Sequence, residues 1–133
     1  MKKIDYIYAV GRRKESSTRV RVYRGKGENT VNGKPANKYF EGEVWARAMA
    51  KPFGATETSE KFYFSARVTG GGKQGQLDAL VLALSRSLTK AAPEKNRLVL
   101  RKLNLLTRDS RIRQRRMVGM GGKARRKKQS PKR

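Results

Sequence analysis

A chain of 133 residues with 34 Lys plus Arg against 10 Asp plus Glu carries a formal charge of +24, and self-repulsion opposes compaction unless a polyanion screens it. The absence of Cys and His excludes disulfides, thiolate chemistry and the usual general base and metal ligand near pH 7. No stretch approaches the roughly 18 apolar residues of a membrane span, the opening MKKIDYIYAVGRRK lacks the form of a secretory leader, and a cytoplasmic location is expected.

Ile4, Tyr6, Tyr8 and Val10 alternate with other residues at the period of a half-buried strand. Thr18, Val20 and Val22 alternate with Arg19, Arg21 and Tyr23 in the same way, and the basic loop Gly11 to Ser17 joins the two strands as a hairpin. A turn over Gly25 to Gly27 leads to a short strand, Thr30-Val31, closed by the tight-turn pair Asn32-Gly33. Pro35 to Phe40 and Glu43 to Met49 read as short helices, and Phe62, Phe64, Ala66 and Val68 mark a third clear strand. Gly70-Gly71-Gly72-Lys73-Gln74-Gly75-Gln76 follows it. Leu77, Leu80, Val81, Leu84 and Leu88 then recur at helical spacing, with Leu82 off the stripe, which points to a helix covered on more than one side. Pro93 opens another helix, with Leu98 and Leu103 among its apolar positions. Beyond Leu106 the apolar pattern ends.

Charge divides the chain at that point. Residues 1–107 hold 22 basic and 9 acidic groups, whereas residues 108–133 hold 12 basic groups and Asp109 alone. This predicts a globular body over 1–107 and an extended basic tail over 108–133. The tail reads either as a non-specific sticky segment or as an extension that orders inside a nucleic-acid site.

Arg19 and Arg21 fall on one strand face, opposite Val20 and Val22. With Arg12, Arg13 and Lys14 they form a candidate phosphate-contacting face, the alternative being a solvated sheet surface. The glycine string between a strand and a helix is either an anion cradle or a tight turn with positive φ. It is neither a Walker loop nor a dinucleotide fingerprint. Ser16, Ser17 and Asp109 have no His to activate them and carry no catalytic reading; Asp109 fits a cap or turn. Trp45, Phe40 and Tyr39 fit core packing better than base stacking, because most aromatics here fall on the apolar side of the patterns.

Several segments together resemble the universal ninth protein family of the small ribosomal subunit. They are Gly11-Arg12-Arg13-Lys14 with Arg19-Val20-Arg21-Val22, Val31-Asn32-Gly33-Lys34-Pro35 before Tyr39-Phe40, the string Gly70 to Ala79, Leu105-Leu106-Thr107-Arg108-Asp109 before Arg111, and Lys123-Ala124-Arg125-Arg126 with the ending Lys132-Arg133. The stretch Met117 to Gly122 and the residues Lys127, Lys128 and Pro131 depart from the family pattern.

The resemblance implies an α+β fold: a four-stranded sheet with helices on one face, similar to the second domain of the fifth small-subunit ribosomal protein, plus a long basic C-terminal extension. It implies a place in the head of the small subunit, on the 3′ major domain of its ribosomal RNA and beside neighbouring head proteins. The expected RNA-binding residues are Arg12, Arg13, Lys14, Arg19, Arg21, Lys73, Arg108, Arg111, Arg113, Arg115, Arg116, Lys123, Arg125 and Arg126. Lys132 and Arg133 are expected at the P-site tRNA. No enzyme activity, cofactor, metal, membrane or small-molecule substrate is expected. An architectural DNA-binding protein and a nucleic-acid-modifying enzyme are the rival readings. The glycine–glutamine string and the terminal Lys-Arg weigh against the first, and the missing His and Cys against the second.

Overall fold

The computed structural model describes residues 5–132. Strands β1 (Tyr6–Arg13) and β2 (Ser16–Arg24) form a hairpin across the two-residue turn Lys14-Glu15, where Lys14 takes φ 52°. The two-residue strands β3 (Thr30–Val31) and β4 (Lys34–Pro35) follow, then helices α1 (Ala36–Tyr39) and α2 (Glu43–Ala55). Strand β5 (Phe62–Thr69), helix α3 (Lys73–Ala91) and helix α4 (Pro93–Lys102) complete the regular structure, and Pro93 stands in the first turn of α4, as its missing N–H allows. Ile4 lies outside the described residues.

The sheet has five strands in the order β1-β2-β5-β3-β4, not the four expected. The additional strand is β4, which pairs with the expected short strand β3 and is too short to show as alternation in the sequence. β1, β2 and β5 are antiparallel neighbours, whereas β3 runs parallel to β5 and reaches it through α1 and α2. The Asn32 side chain extends that parallel pairing, because its amide donates to Val68 O at 3.0 Å and accepts from Val68 N at 2.8 Å.

One sheet face is covered. Val20, Val22, Phe64, Ala66 and Val68 meet Leu77, Leu80, Ala83, Leu84 and Leu88 of α3, with Phe53, Phe40 and Leu100 closing the core. Leu82 is buried as well, in keeping with a helix covered on several sides. Asn96, buried at the start of α4, donates to Leu88 O at 2.8 Å and caps the end of α3 across the single-residue link Ala92.

Two expected patterns differ. In β1 the inward residues are Ala9 and Gly11, while Tyr6 and Tyr8 lie exposed on the open face. α3 passes so close to the middle of β1 that a Cβ at Gly11 would run into the backbone of Ala79 and Ala83, while Ile7 and Arg13, nearer the ends of the same face, keep room for larger side chains. In α4 the residue that enters the core is Leu100, and Leu98 and Leu103 are exposed. The basic loop shrinks too: Gly11, Arg12 and Arg13 belong to β1, and only Lys14-Glu15 form the turn.

Candidate nucleic-acid interface

Strand alternation sends every second side chain of β1, β2 and β5 to the open face, and the pairing register sets them in rows. Tyr6, Tyr23 and Tyr63 form one row. The next are Tyr8, Arg21 and Ser65, then Val10, Arg19 and Arg67, then Arg12, Ser17 and Thr69. Tyr23 and Tyr63 stack at 5.2 Å between centroids, Tyr6 meets Tyr23 edge-on, and the Arg21 guanidinium sits 5.0 Å above the Tyr6 ring. No row contains an acidic residue.

Arg19 and Arg67 are direct cross-strand partners. Side chains so placed start from Cβ atoms about 5 Å apart, and like charges there destabilise a sheet. An anion between them removes the cost and gains charge-assisted hydrogen bonds. Sequence reasoning passed over Arg67, although the alternation of Phe64, Ala66 and Val68 already places it outward beside Ser65. The expectation that aromatics lie on apolar faces fails here as well, since the tyrosine row shares the face with the arginines. Phe40 is buried, and Tyr39 and Trp45 pack against the core as expected.

Other cations are bound within the molecule. Arg13 follows Ala9 and Gly11 on the covered face, and its side chain is 11 % exposed. It donates to Arg111 O at 2.6 Å and Asp109 O at 3.3 Å, and pairs with the carboxylates of Asp109 at 3.4 Å and Asp78 at 3.6 Å. Leu105 and Leu106 pack on the core just before this anchor, so contact with the body continues to Arg111. Arg111 grips Asp109 through Nε at 3.0 Å and Nη2 at 2.8 Å, while its backbone N–H donates to the same carboxylate. Those hydrogen bonds first, and then the charges of Arg111 and Arg13, hold the Asp109 carboxyl far below the usual range. Asp109 is thus a local turn and anchor residue.

Lys73 also has internal partners, with Nζ donating to Tyr39 O at 2.8 Å and lying 4.9 Å from the Tyr39 ring centroid. The glycine string takes the tight-turn form. Gly70 and Gly71 have φ 76° and 61° and press against the β1–β2 turn, where Ser16 donates to Gly70 O. Gln76 donates to Gly70 O at 3.0 Å and accepts from the Tyr39 hydroxyl at 2.7 Å, joining the string to α1.

β1 is an edge strand, and its outward carbonyls accept from cations. Lys90 donates to Tyr8 O at 2.7 Å, Arg86 to Val10 O at 2.8 Å and Arg108 to Arg12 O at 3.4 Å. Arg12 and Lys14 remain exposed. So do Arg113, Arg115, Arg116, Lys123, Arg125, Arg126 and Lys132, along a segment without helix or strand. Within it Met120 and Lys127 form an isolated antiparallel bridge, Gly121 N donates to Arg126 O at 3.1 Å, and the Arg116 guanidinium lies against Gly122. Arg133 lies outside the described residues. Among the described residues no group of three or more acidic side chains could hold a metal, and no helix is long and apolar enough to cross a membrane.

The fold and this face define a strongly basic α+β protein whose open sheet surface suits a chain of phosphates. A sequence model of the family described as ribosomal protein S9/S16 matches residues 11–133. Small ribosomal subunit protein uS9 of Thermus thermophilus is 42 % identical over 130 residues, covering 98 % of this chain and all of that protein. The protein of the same name from Leifsonia xyli is 42 % identical over 125 residues, 94 % of this chain and 74 % of its own. That of Rickettsia rickettsii is 41 % identical over 134 residues, 98 % of this chain and 83 % of its own. The chain belongs to the ribosomal protein S9/S16 family, whose members are structural and not enzymatic.

Proposed function

We propose that the chain is a structural component of the small ribosomal subunit in the cytoplasm, bound to ribosomal RNA of the subunit head. The observation that carries the RNA contact is the acid-free sheet face on which Arg19 and Arg67 stand directly opposed. That repulsion makes sense in a body that meets phosphates. Arg12, Lys14 and Arg21 extend the contact along the same side of the hairpin, and RNA shape supplies most of the specificity.

In this reading residues 1–107 form the RNA-binding body, akin to the second domain of the fifth small-subunit protein, and residues 108–133 form a basic extension. Arg108, Arg111, Arg113, Arg115 and Arg116, then Lys123, Arg125 and Arg126, lie against the 3′ major domain. Lys132 and Arg133 reach the P-site tRNA, and neighbouring head proteins flank the body. The basic run to the last residue supports this course, since a segment so charged and so poor in apolar residues gains order from a polyanion.

Co-sedimentation of the chain with small subunits, set against binding to duplex DNA, tests the assignment. RNA affinity should fall roughly a thousandfold between about 50 and 200 mM salt if some six phosphates are neutralised. Affinity that ignores salt, or a preference for duplex DNA over the subunit, refutes it.

A further inference from the structure

We propose that the open sheet face holds an unpaired nucleotide, with its base stacked on Tyr8 and its phosphate between Arg19 and Arg67. The inference rests on the reading that the partner is RNA, and goes beyond it in naming the conformation recognised.

Tyr8 is the aromatic that the face leaves free. Its neighbours in the tyrosine row cover one another, since Tyr23 stacks on Tyr63 and Tyr6 meets the edge of Tyr23 while Arg21 covers its ring. Tyr6 is as exposed as Tyr8, 47 % against 43 %, but of the two only the Tyr8 ring is without an aromatic or guanidinium partner among the described residues, and its row continues through Arg21 to the small Ser65. The result is a hollow of about 710 Å³ that Tyr8, Arg19, Arg21, Ser65 and Arg67 line. Sites for small organic ligands span about 300–1,000 Å³, so one or two nucleotides fit.

The chemistry selects an unstacked base. A duplex offers phosphates to the arginines but keeps its base faces buried in the stack, which leaves the Tyr8 ring unfilled. A looped or bulged nucleotide offers both a phosphate and a bare π-face, and such bases are the ones aromatic side chains take up on sheet surfaces. Tyrosine suits this place because few rotatable bonds are frozen when its ring is covered. Arg21 is already held over Tyr6, so the cation beside the hollow is in position before the ligand arrives.

The test uses the full chain with a short oligouridine and a short mixed-sequence RNA duplex, each titrated over a range of salt. Tyr8→Ala should weaken oligouridine binding roughly 5- to 150-fold, the loss of one base–aromatic stack, and leave duplex binding unchanged. Tyr8→Phe should retain the wild-type affinity. Arg67→Gln should lower the salt slope on oligouridine by about 0.7, the share of one single-strand phosphate, whereas Tyr8→Ala should leave that slope alone. Circular dichroism confirms that each variant folds.

Equal losses on both RNAs, or none on either, overturn the stacking site while wild-type binding that still falls with salt leaves the RNA reading standing. Wild-type chain that binds neither RNA overturns both. Unchanged RNA binding of Tyr8→Ala with lost capture of a neighbouring subunit protein assigns the face to a protein and overturns the inference.

Discussion

Replacing Arg13 with Met keeps most of the side-chain stem and removes the charge and all the donors. The hydrogen bond to Arg111 O at 2.6 Å is the best formed of its contacts, and a bond of this charge-assisted kind contributes about 1.5–3 kcal/mol. The bond to Asp109 O at 3.3 Å is long, and the two carboxylate partners are 38 % and 44 % exposed, so solvent screens both ion pairs and they add little. Asp109 keeps Arg111 when Arg13 is lost, so no carboxylate is stranded in the interior. The expected cost is about 2–3 kcal/mol, read as a lower urea midpoint together with lost amide protection over residues 105–111. A second measurement separates this anchor from a phosphate contact. Removing a cation that neutralises a phosphate lowers the salt slope of RNA binding by about one, whereas removing an internal anchor weakens binding and leaves the slope as it was. Unchanged stability with a slope reduced by one would refute the argument and return Arg13 to the RNA surface.

Gly11→Ala should destabilise the fold by about 3 kcal/mol in urea, the upper end for overpacking, because the added Cβ meets the α3 backbone at Ala79 and Ala83 and neither can yield. Full stability in this variant would mean that α3 lies farther from β1. Arg111 and Arg13 depress the Asp109 carboxyl, so its contribution to docking the 109–111 turn is complete above the ordinary aspartate pKa of about 3.9 and is lost as pH falls below that toward the lowered value. Carboxyl NMR should find Asp109 still ionised at about pH 3, and titration near 3.9 would exclude the pairing. Deleting Lys132 and Arg133 should spare subunit assembly and speed tRNA loss from the P site by about ten- to a hundredfold at most, the weight of one charge-assisted contact. Unaltered tRNA retention would reject that contact, and failed assembly would make the ending an RNA anchor.

How far the sequence was legible depended on what each residue faced. β2, β5 and α3 carry large apolar side chains into one core, so their alternation and helical spacing located them well. β1 was legible as a strand but not in phase, because a close helix requires Ala9 and Gly11 inside, and a scale that counts tyrosine as apolar favours the opposite face. β4 is two residues long and leaves no periodic trace. Arg19 and Arg21 were legible as outward pairs within one strand. Their relation to Arg67 and Tyr8 is set by register between strands, which local pattern does not report. The internal partners of Arg13 and Lys73 lie 34 to 98 positions away in sequence, so neither local charge nor the family resemblance, which together grouped both with the RNA contacts, could report them.

That grouping is where the structure refines the electrostatic argument. A cation that donates to a carbonyl keeps its full charge, so Lys90, Arg86 and Arg108 on the β1 edge still contribute to the positive field that would draw a polyanion in. What they give up is free donor capacity. In exchange they occupy the edge carbonyls of Tyr8, Val10 and Arg12, which would otherwise invite another strand to add to the sheet. One row of side chains thereby protects an edge and adds to the positive field, while Arg19, Arg21 and Arg67 stand on the adjacent face, where the proposed reading sets the phosphates. In the proposed RNA-bound state the net charge of +24 would therefore set the rate and range of encounter, and the smaller set of guanidinium groups on the open face would set the number of phosphates held.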